Sequence, residues 1–382
     1  MQTTLSRSQN IFSALSFHTI AAIPLCGLAL LYYNHTRSTP LPSSTRAAII
    51  TAGHSATTSH LRLSDTHSST ITLRDGRQLG YADLGSPTGT PIFALHGTPG
   101  SRIDYEFWHT TALRLNARIL SLDRPGIGLS TAQPGRTLLD HADDVKQLAE
   151  HLQLDRYGVV GMSGGGPYAL ACAAALPKDK LKAVMLVCGL GPPDIGYWGM
   201  AIPNYIGWTW GYRYAPSLIR YWAGWQPFGR LDLPDQARFE MMQTSFLNSS
   251  NPSSKDVDLW LHHPSLLYQH LRSTRESFVH GLDSFTEDGR IMSSEWGWEG
   301  VKLEDIRKDL PVRLWYGRQD ENVPANHGVQ IARRVGGGAG EGEGDGEEGM
   351  VRLRVEDETH ASLEVIWVEA QLRDLLDAME GE

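Results

Sequence analysis

An apolar, β-branched run, Tyr157-Gly158-Val159-Val160-Gly161-Met162, ends in Ser163-Gly164-Gly165. A helix-forming stretch follows at once, from Pro167 through Leu176, rich in alanine and leucine. Strand, glycine-flanked serine, then helix is the order of a nucleophile elbow. The turn forces strained backbone angles on the serine, and side chains at 161 and 165 would collide, so both are glycine. Ser163 then projects from the carboxyl end of its strand, with the amide of Gly164 and a helix N-terminus beside it to stabilise an oxyanion. The blander account is a glycine-rich turn with a bystander serine. This one stretch restricts the chain to folds in which a parallel strand feeds a covering helix.

The surrounding pattern agrees. Pro91-Ile92-Phe93-Ala94-Leu95, Arg118-Ile119-Leu120-Ser121-Leu122, Leu181 to Val187, Pro311 to Tyr316 and Val351 to Val355 are short apolar or β-branched runs. A helix is predicted over about 138–152, where Leu139, Ala142, Val145, Leu148, Ala149 and Leu152 share a face. Ser69 to Leu73 and Gln78 to Ala82 flank Asp75-Gly76, a hairpin signal. Strands alternating with helices predict an α/β fold with a mostly parallel sheet covered by helices.

The chain divides by composition. Residues 1–67 are expected to be a targeting or anchoring segment plus linker: 1–64 contain no Asp or Glu, and an apolar run spans 11–33. That run is nearly long enough for a single-pass membrane anchor, the reading adopted; import into mitochondria is the alternative, on the Arg- and Ser-rich, acid-free composition, and a secretory signal peptide fits less well. Residues 34–66, full of Ser, Thr and Pro, read as linker. Residues 68–188 form the first part of an α/β core and 303–382 the second, with 336–349 a Gly/Glu-rich loop expected to be disordered. Between them, 189–302 read as an inserted helical cap with helices over Asp235 to Leu247 and about His262 to Phe285. Trp208, Trp210, Tyr212, Tyr214 and Trp222 are candidates to line an apolar pocket there.

Composition excludes some functions. A net charge of −9 and no dense basic stripe argue against nucleic acid as a partner. Cys26, Cys172 and Cys188 lack metal or redox spacing, and the latter two read as small buried hydrophobes.

Five motifs now stand in order: His96-Gly97-Thr98-Pro99-Gly100, Asp123-Arg124-Pro125-Gly126-Ile127-Gly128-Leu129-Ser130, the Ser163 elbow, Gly317-x-x-Asp320-x-x-x-Pro324, and Thr359-His360. Over roughly 69–380 they resemble the α/β-hydrolase superfamily, which implies an eight-stranded, mostly parallel sheet with an inserted cap. The resemblance implies a Ser163–His360–Asp320 triad acting through an acyl-enzyme, with Asp194 as rival for the acid. It also implies an oxyanion hole from the amides of Thr98 and Gly164. His96 and Asp123 are expected to be structural. No cofactor or metal is implied. The substrate expected is a small-molecule ester with an apolar portion. An amide is the alternative, of the proline iminopeptidase type, with Glu240 or Glu276 receiving a substrate amine. A catalytically silent binding scaffold is the rival from another class. Thr98 replaces the second glycine of the peptidases' His-Gly-Gly-Pro-Gly, and Ser at the elbow disfavours epoxide hydrolases and dehalogenases, which carry Asp there.

Overall fold

The computed structural model describes residues 41–58, 67–249, 252–336 and 350–381. The apolar run 11–33 and the glycine-rich loop therefore lie outside the described residues, apart from Gly336. Among those described, no helix is long and apolar enough to cross a membrane.

Eight strands form one sheet: β1 (Ser68–Thr72), β2 (Gln78–Gly85), β3 (Thr90–Leu95), β4 (Ala117–Leu122), β5 (Tyr157–Met162), β6 (Leu181–Val187), β7 (Val312–Gly317) and β8 (Val351–Glu356). Their order is β1-β2-β4-β3-β5-β6-β7-β8. β1 pairs antiparallel with β2, and β2 with β4; every other pair is parallel. The Asp75-Gly76 turn joins β1 to β2, with Gly76 at a φ of 88° that its missing Cβ makes strain-free.

The central strands are continuously apolar because both their faces are covered. Side chains alternate across the sheet. Phe93, Leu95 and Val159 therefore meet the helices Leu138–His151 and Gly166–Ala175. Ile92, Ala94, Val160 and Met162 face the opposite layer, built from Trp108 and the C-terminal helix residues Leu372 and Leu375. Thr137 starts the helix Leu138–His151 with a capping box: its amide donates to Asp140 Oδ2 at 2.7 Å.

β3 lies between β4 and β5, so the chain leaves β3 toward one edge and returns across it to build β5. Parallel sheets open a crevice at the carboxyl ends of strands where the order reverses this way. The loop after β3 carries Thr98, and the turn after β5 carries Ser163.

The segment between β6 and β7 is helical, as expected for the cap. Asp235–Leu247 matches the predicted helix. The helix expected from about His262 to Phe285 is instead two, Pro264–Ser277 and Asp283–Ser293, parted where Gly281 takes a φ of +94°.

A second expectation fails. Ser43–Thr58, within the stretch read as linker, is an α-helix docked on the cap. Ile49 and Ala56 are buried with Phe239, Leu247 and Trp260. Gln243 Nε2 donates to Ile49 O at 2.9 Å, and Arg46 donates to Leu247 O. Gly53 permits the approach, since a Cβ there would lie 2.1 Å from Gln243 Nε2. The apolar surface is supplied by the partner, some 190 residues away, so local composition could not reveal it.

Candidate active site

At the end of β5, Ser163 has a φ of +52°, a left-handed conformation that a non-glycine residue adopts only under constraint. The constraint is local crowding. A Cβ at 161 would stand 2.4 Å from Gly165 O, and one at 165 would stand 2.0 Å from Leu95 O. Both glycines are thus required by the sharp turn, as the sequence predicted. Ser163–Gly165 forms a short 3₁₀ turn leading into the helix Gly166–Ala175.

His360 begins the helix His360–Ile366 after β8, behind an N-cap made by Thr359, whose side chain accepts from the Ser362 amide. Its Nδ1 lies 2.6 Å from Asp320 Oδ2, and its Nε2 lies 3.0 Å from Ser163 Oγ. Asp320 follows β7 and is buried; its Oδ1 accepts from the amides of Asn322 (2.7 Å) and Val323 (2.8 Å). The carboxylate is therefore fixed from behind and presents one oxygen to the imidazole. The structure brings together the three side chains expected to act together, from three separate strand ends. Asp194, the rival acid, is on the surface and pairs with Arg334 at 3.0 Å.

Burial disfavours the charged form of His360, but Asp320, and after it Glu364, outweigh burial and lift its pKa to about 9. Glu364 was not anticipated. One helical turn after His360, its Oε1 lies 3.5 Å from His360 Nε2 and accepts from Cys188 Sγ at 3.4 Å. Burial raises the Glu364 pKa, against the pull of His360. Cys188 is therefore more than a small hydrophobe: Sγ sits 3.9 Å from His360 Nε2. Among the described residues, Cys188, Asp320 and His360 bring metal-type donor atoms within 4.8 Å of one another. The imidazole in that set already bonds both the carboxylate and the serine.

Thr98 and Gly164 are neighbours: a Cβ on Gly164 would meet Thr98 Oγ1 at 2.4 Å and Thr98 N at 3.2 Å. Arg124 braces the Thr98 loop by donating to Gly97 O and Thr98 Oγ1, both at 2.8 Å, and to His96 O. His96 is fully buried, with Nδ1 2.9 Å from Gly97 O, and Nε2 accepts a long bond from the Arg124 amide. Asp123 ties its turn, accepting from the amides of Arg102 (2.7 Å) and Leu129 (2.9 Å).

These groups open on a cavity of about 590 Å³. Its cap side includes Trp208, Tyr212, Trp222, Phe228 and Phe285. Of the aromatic candidates, Trp210 and Tyr214 do not line it and point to solvent. Glu240 and Glu276 are also absent from the wall; Glu276 accepts from Arg102 at 2.9 Å. Asp104 and His270 are present instead, 3.4 Å apart, along with Glu364. No local motif marks these three residues, because only the fold brings them to one wall.

A family model described as the alpha/beta hydrolase fold matches residues 90–341, about two thirds of the chain. The chain is 32% identical over 132 residues to the uncharacterized hydrolase YcgS of Bacillus subtilis, covering 34% of this chain and 45% of that protein. It is 31% identical over 123 residues to the bifunctional esterase/perhydrolase DCH of Acinetobacter calcoaceticus, covering 32% and 45%. To the proline iminopeptidase of Xanthomonas citri it is 35% identical over 105 residues, covering 26% and 33%. The matched stretch thus spans less than half the length of each of these relatives. Among solved structures, an alpha/beta hydrolase fold protein from Chitinophaga pinensis superposes with a TM-score of 0.52 at 16% identity, covering 81% of this chain and 95% of that one. One from Nakamurella multipartita gives 0.51 at 17%, covering 82% and 100%.

Proposed function

The chain belongs to the α/β-hydrolase fold family, and from that premise we propose that it is a serine hydrolase working through an acyl-enzyme, cleaving carboxylic esters with an apolar portion. The observation that carries the reading is His360, which spans Asp320 and Ser163 at 2.6 and 3.0 Å on the wall of an apolar cavity.

A serine hydroxyl is a weak nucleophile near neutral pH and needs a base within hydrogen-bond reach. In the proposed cycle His360 Nε2 takes the Ser163 proton as Oγ attacks the ester carbonyl carbon, while Asp320 holds the Nδ1–H tautomer and stabilises the imidazolium. The carbonyl oxygen becomes an oxyanion facing the amides of Thr98 and Gly164. The intermediate collapses, and His360 returns the proton to the departing alkoxide, releasing the alcohol and leaving the acyl group on Ser163. Water enters, gives its proton to His360 and attacks the acyl carbon. Collapse releases the acid and restores the Ser163 hydroxyl.

The aromatic cap wall favours an apolar acyl or alcohol group over a charged one. A second reading, cleavage of amides bearing a free amine, draws on Asp104 and Glu364, the carboxyl groups on the cavity wall beyond the triad. Among the described residues Asp104 Oδ1 has no hydrogen-bond partner, and His270 Nδ1 is its ion-pair neighbour at 3.4 Å.

The test is labelling by a fluorophosphonate, which reports an activated serine whatever the substrate. Stoichiometric labelling of the parent protein is expected, lost in Ser163→Ala and His360→Ala and slowed in Asp320→Asn. A folded parent protein that takes no label defeats the proposal and favours the silent-scaffold reading. Aryl esters of increasing acyl length against prolyl and alanyl amides then separate the ester from the amide reading.

A further inference from the structure

We propose that the outer face of the cap is a docking surface for a lipid bilayer. Ile202, Ile206, Trp210, Tyr214, Leu218 and Trp222 recur at every fourth position, and each is between 44% and 64% exposed. Trp198 and Trp225 flank the series and are exposed as well. The first four lie on Ile202–Ile206, the π-helical turn Gly207–Gly211 and Tyr212–Tyr214, which follow one another without a break. Leu218 and Trp222 lie on the next helix, Pro216–Ala223. Helical residues four apart share a face, so Ile202 to Tyr214 line one face of the first stretch and Leu218 with Trp222 one face of the second, across the non-helical Ala215.

The segment does not lack a core of its own. Tyr212 and Ala223 are buried with Phe278 and Phe285, and Trp208 and Ile219 pack against them. The opposite face carries the apolar stripe, and soluble monomers rarely leave such a contiguous patch uncovered without a partner for it.

Three observations select lipid as that partner. The first is residue type: tryptophan and tyrosine with Ile and Leu are the side chains that settle at a membrane–water interface, ring in the hydrocarbon and polar atom in the headgroups. The second is charge. From Ile195 to Leu231 there is no Asp or Glu, while Arg213, Arg220 and Arg230 are present, in a chain of net charge −9. Arg220 and Arg230 pair with Asp283 and Asp232, and Arg213 donates to Ser293 O, so the face is close to neutral and the apolar residues carry the docking. The third is continuity with the cavity. Ile206 and Trp222 belong both to the exposed stripe and to the wall of the cavity that holds Ser163. A bilayer seated on the stripe would therefore face the cavity mouth, and an apolar molecule could pass between them without crossing water.

This surface is distinct from the apolar run 11–33, and its docking does not depend on the hydrolytic reading. The test uses the full chain, so that any binding by residues 11–33 is common to every variant. Trp210→Ser, Tyr214→Ser and Leu218→Ser are combined, since none of the three lines the cavity. Leu113→Ser with Val329→Ser, two exposed apolar residues elsewhere, serves as the control. Each protein is checked by thermal melting and then sedimented with vesicles of phosphatidylcholine containing a minority of phosphatidylserine.

The parent and control proteins are expected to partition at least tenfold more strongly than the triple variant, as each interfacial side chain removed weakens binding severalfold. Vesicles should shift the parent's tryptophan emission to the blue and shift the triple variant's less. Equal partitioning of parent and triple variant together with equal blue shifts, or no binding by either, overturns the proposal. So does a parent dimer, seen by analytical ultracentrifugation without lipid, that dissociates in the triple variant, because the stripe would then cover a second copy of the chain.

Discussion

His360 is held by an unequal set of neighbours, and their inequality predicts how the protein responds to pH. Asp320 accepts from Nδ1 at 2.6 Å, whereas Glu364 stands 3.5 Å from Nε2, the atom that takes the Ser163 proton in the proposed cycle. Both carboxylates favour imidazolium, and the pKa is lifted to about 9 despite burial. In the proposed cycle the neutral imidazole is the base, so kcat/KM should rise with pH as His360 loses its proton, along a limb displaced upward from the ordinary imidazole value. Glu364→Gln removes one of the raising charges and should move this limb to lower pH while retaining kcat on its plateau. Asp320→Asn should also move the limb down, but with kcat lower by on the order of 10⁴-fold, because the ring loses the partner that sets its tautomer. Full pH profiles of the two variants on one aryl ester make the comparison. A limb that stays in place in Glu364→Gln would mean that this carboxyl is neutral in the working enzyme.

Between elements, the decisive contact is a buried charge network joining the Thr98 loop, the cap and the helix behind the serine. Arg124, which braces that loop, donates to Asp288 Oδ2 at 2.6 Å; Asp288 lies on the cap helix Asp283–Ser293. Arg136 donates to the other Asp288 oxygen and, at 3.0 Å, to the hydroxyl of Tyr168, on the helix Gly166–Ala175. Burial alone would raise the Asp288 pKa, but the two guanidiniums hold it down at about 2. A depressed carboxyl stabilises the fold above its unfolded value of 3.8 and loses that contribution as pH falls toward about 2. Asp288→Ala strands two buried cations, which should cost about 3–5 kcal/mol in denaturant unfolding. It should also lower kcat by on the order of 10- to 100-fold by freeing the Thr98 loop, the proposed oxyanion hole. A variant that loses stability but keeps kcat would show that Arg124 does not need Asp288 to hold the loop. Nothing in the sequence marks this network. Ser163 was legible because its turn requires the glycines around it, and Asp320 and His360 because each follows a β-strand in a motif that resembles those of the α/β hydrolases. Arg136 and Asp288, like Asp104, His270 and Glu364, lie in ordinary helical or loop sequence and acquire partners only through long-range packing.

At the scale of the whole molecule, the α/β core was legible and the anchorage of the cap was not. Strand runs and glycine turns are local signals, so the strands and their mostly parallel alternation with helices could be read from them, whereas the placement of β3 between β4 and β5 could not. The helix Ser43–Thr58 carries few large apolar residues, and its docking depends on small ones that let Gln243 reach Ile49 O. That arrangement makes the helix a clasp on the cap rather than part of the sheet's core, since Ile49 is buried with cap residues and not with any strand. Regions joined by few contacts open separately from the global unfolding reaction. Ile49→Ala, a buried truncation, should cost about 2–5 kcal/mol in the affected unit. The loss should appear as faster amide exchange in Ser43–Thr58 and Asp235–Leu247, with exchange in β5 and β6 unchanged. Because the truncated residue touches neither Ser163 nor His360, fluorophosphonate labelling should proceed at the parent rate. Equal acceleration of exchange in the helix and in β5 would instead show that the N-terminal helix and the sheet unfold as one unit.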